Sequence, residues 1–255
     1  MRPAAALAAC ALVAACASAG QPVLAPPPEG YLGEADIARL ATTLPIPISD
    51  GRARTPVEPG TDRWWLAVAH AELRPPEAAQ HFDCALGTRL AARPRPALQR
   101  LMTRLLADAD ALTREAATAR GHVARPIALD PDLQPCQRVT PEVRNGPSWP
   151  AGGAVVGTLY GESFAALAPD RAEQVRRIGR EIGVSRLVCR MNGPQDVWTG
   201  ELGGRSLFDR IATSEPFQAD LAAARVEVAA ARAEGLTNPS CAAERRALGP
   251  MPDGG

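Results

Sequence analysis

Leu98, Leu101, Met102, Leu105, Leu106, Ala109 and Leu112 recur at spacings of three and four residues. That rhythm matches the 3.6-residue turn of an α-helix and puts all seven side chains on one face, so the segment predicts a long amphipathic helix turned toward a core. A chain built around such a stripe must supply others to cover it. Helical patterns broken by Pro and Gly predict further helices over Ala35–Thr43, Asp62–Leu73, Pro76–Leu86, Gly152–Leu167, Asp170–Met191, Gln195–Ala212 and Pro216–Ala233. No segment reads as a sheet. Alanine is the commonest residue and aromatics are only 4%, which favours helices packed closely through small side chains. The expectation is an all-α fold with a single helical domain over residues 32–235, since 255 residues suffice for one full core. Residues 236–255, rich in Pro and Gly, predict a loose tail apart from whatever Cys241 ties down. Ala128–Pro150 is the longest stretch without periodicity; it is functional or held by a bridge, and Cys136 lies within it.

The first nineteen residues predict an export signal: Arg2 supplies the charged start, and the apolar run Ala4–Ala15 is too short to span a bilayer. Two endings are open. Val13-Ala14-Ala15-Cys16 has the form of a lipobox and implies lipidation of Cys16, whereas Ala17-Ser18-Ala19 has the form of an ordinary cleavage site and implies free secretion. Either places the protein in the periplasm or on the bacterial envelope, with membrane contact only through a lipid anchor. A proline-rich linker over residues 20–31 follows. Export would expose Cys84, Cys136, Cys189 and Cys241 to an oxidising compartment, so two disulfides are expected, with three pairings open. His81 and Cys84 are three apart and would share a helical face. No second His/Cys pair stands nearby, so no metal is expected there.

Acidic and basic residues balance at 28 each, and every basic residue is Arg. Without lysine, Schiff-base chemistry and a phosphate-loop lysine are excluded. Charges of both signs are interspersed, so the electrostatic footprint of a nucleic-acid binder is missing. Any mechanism that needs two histidines must draw on His70, His81 and His122.

Three segments stand out in order: Ala124-Arg125-Pro126, then Ser148-Trp149-Pro150-Ala151-Gly152-Gly153, then Ser185-Arg186-Leu187-Val188-Cys189 running to Asp196. Their order and spacing resemble the three-part signature of bacterial class A (non-specific) acid phosphatases, of the phosphatidic acid phosphatase type 2 and vanadium haloperoxidase superfamily. In that signature a Lys precedes Arg-Pro by six residues; Pro-Ser-Gly-His follows; then come Ser-Arg, five residues, His, three residues and Asp. The resemblance covers about Leu32–Ala233 and includes the flanks Asn145-Gly146 and Pro216-Phe217-Gln218-Ala219-Asp220-Leu221.

The resemblance implies a helical, commonly homodimeric phosphomonoesterase that uses no metal and no cofactor. The third-motif His attacks phosphorus, the Asp four residues on orients it, and the second-motif His protonates the leaving oxygen. The Lys, both Arg and backbone amides hold the phosphoryl oxygens. Arg125, Ser185, Arg186 and Asp196 stand at family positions, and Ala151 and Gly152 occupy the backbone-donor positions. Guanidinium pairs and helix-start amides suit a tetrahedral oxyanion. The departures fall on the reactive positions: Thr118 replaces the Lys, Gly153 the acid His and Asn192 the nucleophilic His. An Asn amide has no usable nitrogen lone pair and does not titrate near neutral pH, so it neither forms a phosphoramidate nor relays a proton. The expectation is an exported acid phosphatase-like protein with impaired catalysis that binds phosphate or a small phosphoester. One alternative keeps activity through His122, which would share a helical face with Thr118 and Arg125 if that segment is helical. Another keeps only an envelope scaffold or interaction protein. Trp149 and Trp198, beside the motifs, are expected in the core or a pocket wall.

Overall fold

The computed structural model describes residues 29–46 and 57–249. The predicted export signal, Cys16 and most of the predicted linker lie outside the described residues. Among those described, every regular element is helical and the helices form one domain, as expected. The long stripe becomes α4 (Pro96–Arg120), which opens on a proline at its first turn and ends where Gly121 adopts φ +89°, a conformation that glycine takes without strain. Leu98, Leu101, Met102, Leu105, Ala109 and Leu112 are buried as the periodicity requires, whereas Leu106, at the edge of the stripe, is half-buried. Full burial of each Leu contributes about 1.5–3 kcal/mol.

The centre of the domain is α7 (Gly152–Leu167), buried on nearly every side. It packs against α8 (Ala172–Val188) and α9 (Pro194–Ile211), with α4 and α10 (Glu215–Ala233) on its other flanks. Close approach replaces large side chains here. A Cβ at Gly157 would come within 2.5 Å of the Gly179 carbonyl oxygen, and one at Gly204 within 2.5 Å of the Val155 carbonyl oxygen. The small-residue bias seen in composition is thus spent on bringing α7, α8 and α9 nearly into backbone contact. Before them, α1 (Glu34–Thr43) packs on α4, and the chain ahead of it is pinned where the Tyr31 and Leu32 amides donate to Asp108 at 2.8 and 3.1 Å.

Several boundaries differ from the sequence expectation. The helix expected over Asp62–Leu73 is α2 (Asp62–Ala69), closed by buried His70, which bonds across to α8. Pro76–Leu86 resolves into a 3-10 segment, Glu77–Phe82, and the single turn α3 (Asp83–Leu86). His81 and Cys84 therefore do not share an α-helical face, and no metal-holding cluster of His, Cys, Asp or Glu occurs among the described residues. The aperiodic stretch contains two short turns, α5 (Pro126–Leu129, begun just before it) and α6 (Pro141–Asn145). Its Cys136 is bonded to Cys189 at the end of α8, which holds the stretch as proposed. The other disulfide joins Cys84 to Cys241. Within the tail expected to be loose apart from what Cys241 ties down, that disulfide secures a helix, α11 (Cys241–Leu248), which packs on α2; residues 250–255 lie outside the described residues.

Candidate anion-binding site

The three sequence motifs lie far apart in the chain and are joined by hydrogen bonds. The Ser148 amide donates to the Val123 carbonyl at 2.7 Å, the Ala151 amide to the Asp196 carbonyl at 2.9 Å, and the Asn192 side-chain amide to the Ser148 carbonyl at 2.5 Å. Arg125 sits at the start of α5, Ala151 at the N-cap of α7, and Arg186 in the last turn of α8.

Arg125 is anchored by backbone. Its Nε donates to the Val143 carbonyl at 2.9 Å and its Nη1 to the Met191 carbonyl at 3.0 Å. Burial lowers its pKa from the usual arginine value, partly opposed by the charge of Asp196. Arg186 is set deep in the fold yet keeps some accessible surface. Its buried Nε has no hydrogen-bonding partner, and no carboxylate lies within ion-pair distance among the described residues. Burial first, and the neighbouring Arg125 charge second, lower its pKa to about 10, so it remains a cation at neutral pH. Arg186 thus feels the charge of Arg125, while the acid that acts on Arg125, Asp196, makes no ion pair with either guanidinium among the described residues. Beside them α7 begins without a side-chain cap, and the amides of Gly152 and Gly153 in its first turn have no acceptor within the helix.

Each substituted position has a different local use. At Gly153 a Cβ would lie 2.6 Å from Cδ of Arg186, so the Arg186 side chain runs through the space a larger residue would need. Asn192 is buried and tethers the Ser148 loop, with its amide already committed. Asp196 does not reach Asn192. Its Oδ2 accepts from Ser148 Oγ at 2.6 Å and from the Gly193 amide at 2.7 Å, closing the first turn of α9. Burial still pushes its carboxyl above the usual range, against those two bonds and the Arg125 charge.

Other predicted residues are not brought to the arginines. Thr118 is on the exposed side of α4, and its hydroxyl donates to the Arg114 carbonyl at 2.9 Å. The helical alignment of Thr118, His122 and Arg125 is corrected by the end of α4 at Arg120; His122 lies beyond it, exposed. Ser185, expected to bind phosphate, is turned to a different face of α8, where its Oγ accepts from Arg63 Nη1 at 2.9 Å and lies 2.9 Å from His70 Nδ1. Arg63 and His70 were the functional-looking neighbours the sequence did not expose, because their partner lies more than a hundred residues away. Trp149 is in the core as expected, whereas Trp198 is 54% exposed.

No protein-family model matches the chain. It is similar to the non-specific acid phosphatase of Salmonella typhimurium, with 28% identity over 171 residues that cover 66% of this chain and 68% of the relative. The acid phosphatase of Zymomonas mobilis is 29% identical over 183 residues, 70% of this chain and 67% of that protein. The non-specific acid phosphatase of Providencia stuartii is 22% identical over 169 residues, 66% and 68% respectively.

Proposed function

We propose that this chain is an exported member of the non-specific acid phosphatase family that holds phosphate or a small phosphoester without turning it over. The observation that carries the reading is Arg186, a deeply set guanidinium beside Arg125 with no acidic partner among the described residues. Two such cations and the first-turn amides of α7 match an oxyanion: guanidinium groups offer paired N–H donors, and helix-start amides add donors at the positive end of the helix dipole. The distant relatives named acid phosphatases point to a phosphoester as the ligand class. Export is supported by the two disulfides and the apolar amino-terminal run.

Turnover fails on the chemistry of the substituted positions. Phosphoryl transfer to a side chain needs a lone pair aimed at phosphorus and a proton for the leaving oxygen. Asn192 has no such lone pair and gives its N–H to Ser148, and Gly153 carries no proton donor. Because nucleophile and acid act as a unit, losing both removes the covalent route itself. His122 stands exposed beyond α4 and offers no replacement.

The test is p-nitrophenyl phosphate hydrolysis by the purified chain from acidic to neutral pH, alongside thermal melts with phosphate or vanadate. The expected result is no hydrolysis above buffer, together with a rise in melting temperature as anion is added. Hydrolysis that Arg186→Ala abolishes contradicts the proposal.

A further inference from the structure

A cleft of about 470 Å³ is walled by α2, the 3-10 segment Glu77–Phe82 and α11, with neither Arg125 nor Arg186 in its lining. Arginine supplies every basic charge in this chain other than histidine, yet none lines the cleft. Four carboxylates do: Asp62, Glu72, Glu77 and Glu244. Asp62 is paired with Arg246 at 2.8 Å and Glu72 with Arg74 at 3.3 Å. Glu244 is half-buried and has no ion-pair partner among the described residues. The indole of Trp65, 61% exposed, forms part of the wall.

The imidazole of His70 supplies the second, independent observation. It lines the cleft while only 1% exposed, and its Nε2 meets no hydrogen-bonding partner. The network behind it assigns the tautomer. Ser185 Oγ donates its single proton to the Glu181 carbonyl at 2.8 Å and accepts from Arg63, so His70 Nδ1 is the donor at the third contact. Nε2 therefore carries a lone pair. Burial, then the adjacent His81 and Arg63, keep His70 well below its usual pKa and hence neutral.

We propose that this cleft binds a small organic cation with N–H donors, a primary ammonium, which donates to His70 Nε2 and pairs with the Glu244 carboxylate beside the Trp65 ring. An ammonium brings donors for both the Nε2 lone pair and the Glu244 carboxylate that line the cleft, whereas an anion would meet four carboxylates. The aromatic wall adds a cation–π contribution. Burial and then neighbouring Asp83 push the Glu244 carboxyl up to about 7, and the charges of Arg177 and Arg245, neither at ion-pair distance, only partly oppose them. The cleft is independent of the phosphate-site reading.

The experiment is calorimetric titration of the full, disulfide-bonded chain with putrescine, with glycylglycine amide and with choline, at about pH 8 where Glu244 is largely ionised. Putrescine represents a free amine and the dipeptide amide a peptide amino terminus; whichever binds more tightly identifies the source of the ammonium. Choline, a cation without N–H donors, is expected to bind at least about fivefold more weakly because it cannot satisfy His70. Glu244→Gln should weaken the better amine about tenfold and Trp65→Ala about threefold. Thermal melts confirm that both variants fold, and phosphate titration of the same samples reports the separate anion site. Equal binding of choline, an unchanged affinity in folded Glu244→Gln, or no heat from either amine at millimolar concentration overturns the proposal.

Discussion

Ser185 and Arg186 are consecutive in α8 and meet opposite surroundings. On the Ser185 face the polar groups answer one another: Arg63 pairs with Glu181 at 3.2 Å and donates to Ser185, which in turn donates to the Glu181 carbonyl and contacts His70. On the Arg186 face a guanidinium of equal charge has neither carboxylate nor hydrogen bond among the described residues, and its nearest charged influence is another cation. This fold can supply a partner for a buried arginine, as Arg63 shows. An unpaired buried charge is costly, and where it persists beside a second arginine and a helix start, the partner it fits is an anion from solution.

Substitutions on either face of α8 separate the two environments. The largest effect is expected from Ser185→Ala, which strands Arg63 Nη1 and His70 Nδ1 and should lower stability by about 2–3 kcal/mol in urea melts while leaving phosphate affinity unchanged. Gly153→His comes next. Its Cβ would press on Cδ of Arg186, so the substitution should cost about 1–3 kcal/mol and displace the guanidinium, weakening phosphate binding without bringing turnover. Arg186→Met inverts the sign: removing an uncompensated charge should raise stability in phosphate-free buffer by about 1 kcal/mol and erase stabilisation by phosphate.

The smallest effect concerns Glu244 and depends on pH. Its folded pKa, about 7, lies above the reference 4.5, so the native state holds the proton more tightly than the unfolded chain. The resulting contribution is complete below about pH 4.5 and is lost as pH rises through about 7. Glu244→Gln should therefore match the wild type in acid and exceed it near pH 8 by on the order of 1 kcal/mol, after discounting for partial exposure. Chemical denaturation at the two pH values measures the difference.

The helices were legible because their signal is local. The stripe from Leu98 to Leu112 required one element, and the glycines of α7, α8 and α9 agreed with an alanine-rich, aromatic-poor composition. Arg125 and Arg186 were legible through motif spacing. The disulfide pairing was not, since three pairings fit four cysteines equally until the fold placed Cys84 by Cys241 and Cys136 by Cys189. Nor was the orientation of Ser185: a residue beside Arg186 in sequence is about 100° away around a helix, which turned it to α2 instead of the arginines. The presumed face linking His122 to Arg125 failed for a similarly local reason, the positive φ at Gly121 that ends α4. The crossing of Arg186 over Gly153 had no sequence signal at all, because it depends on how closely α7 and α8 approach.

Whether Arg186 holds an anion is decided by calorimetric titration of inorganic phosphate into the wild-type chain and into Arg186→Met, with both confirmed folded. Saturable binding to the wild type at a single site and none to the variant is the expected result. Equal binding by the two, or no binding by the wild type at millimolar phosphate, contradicts it.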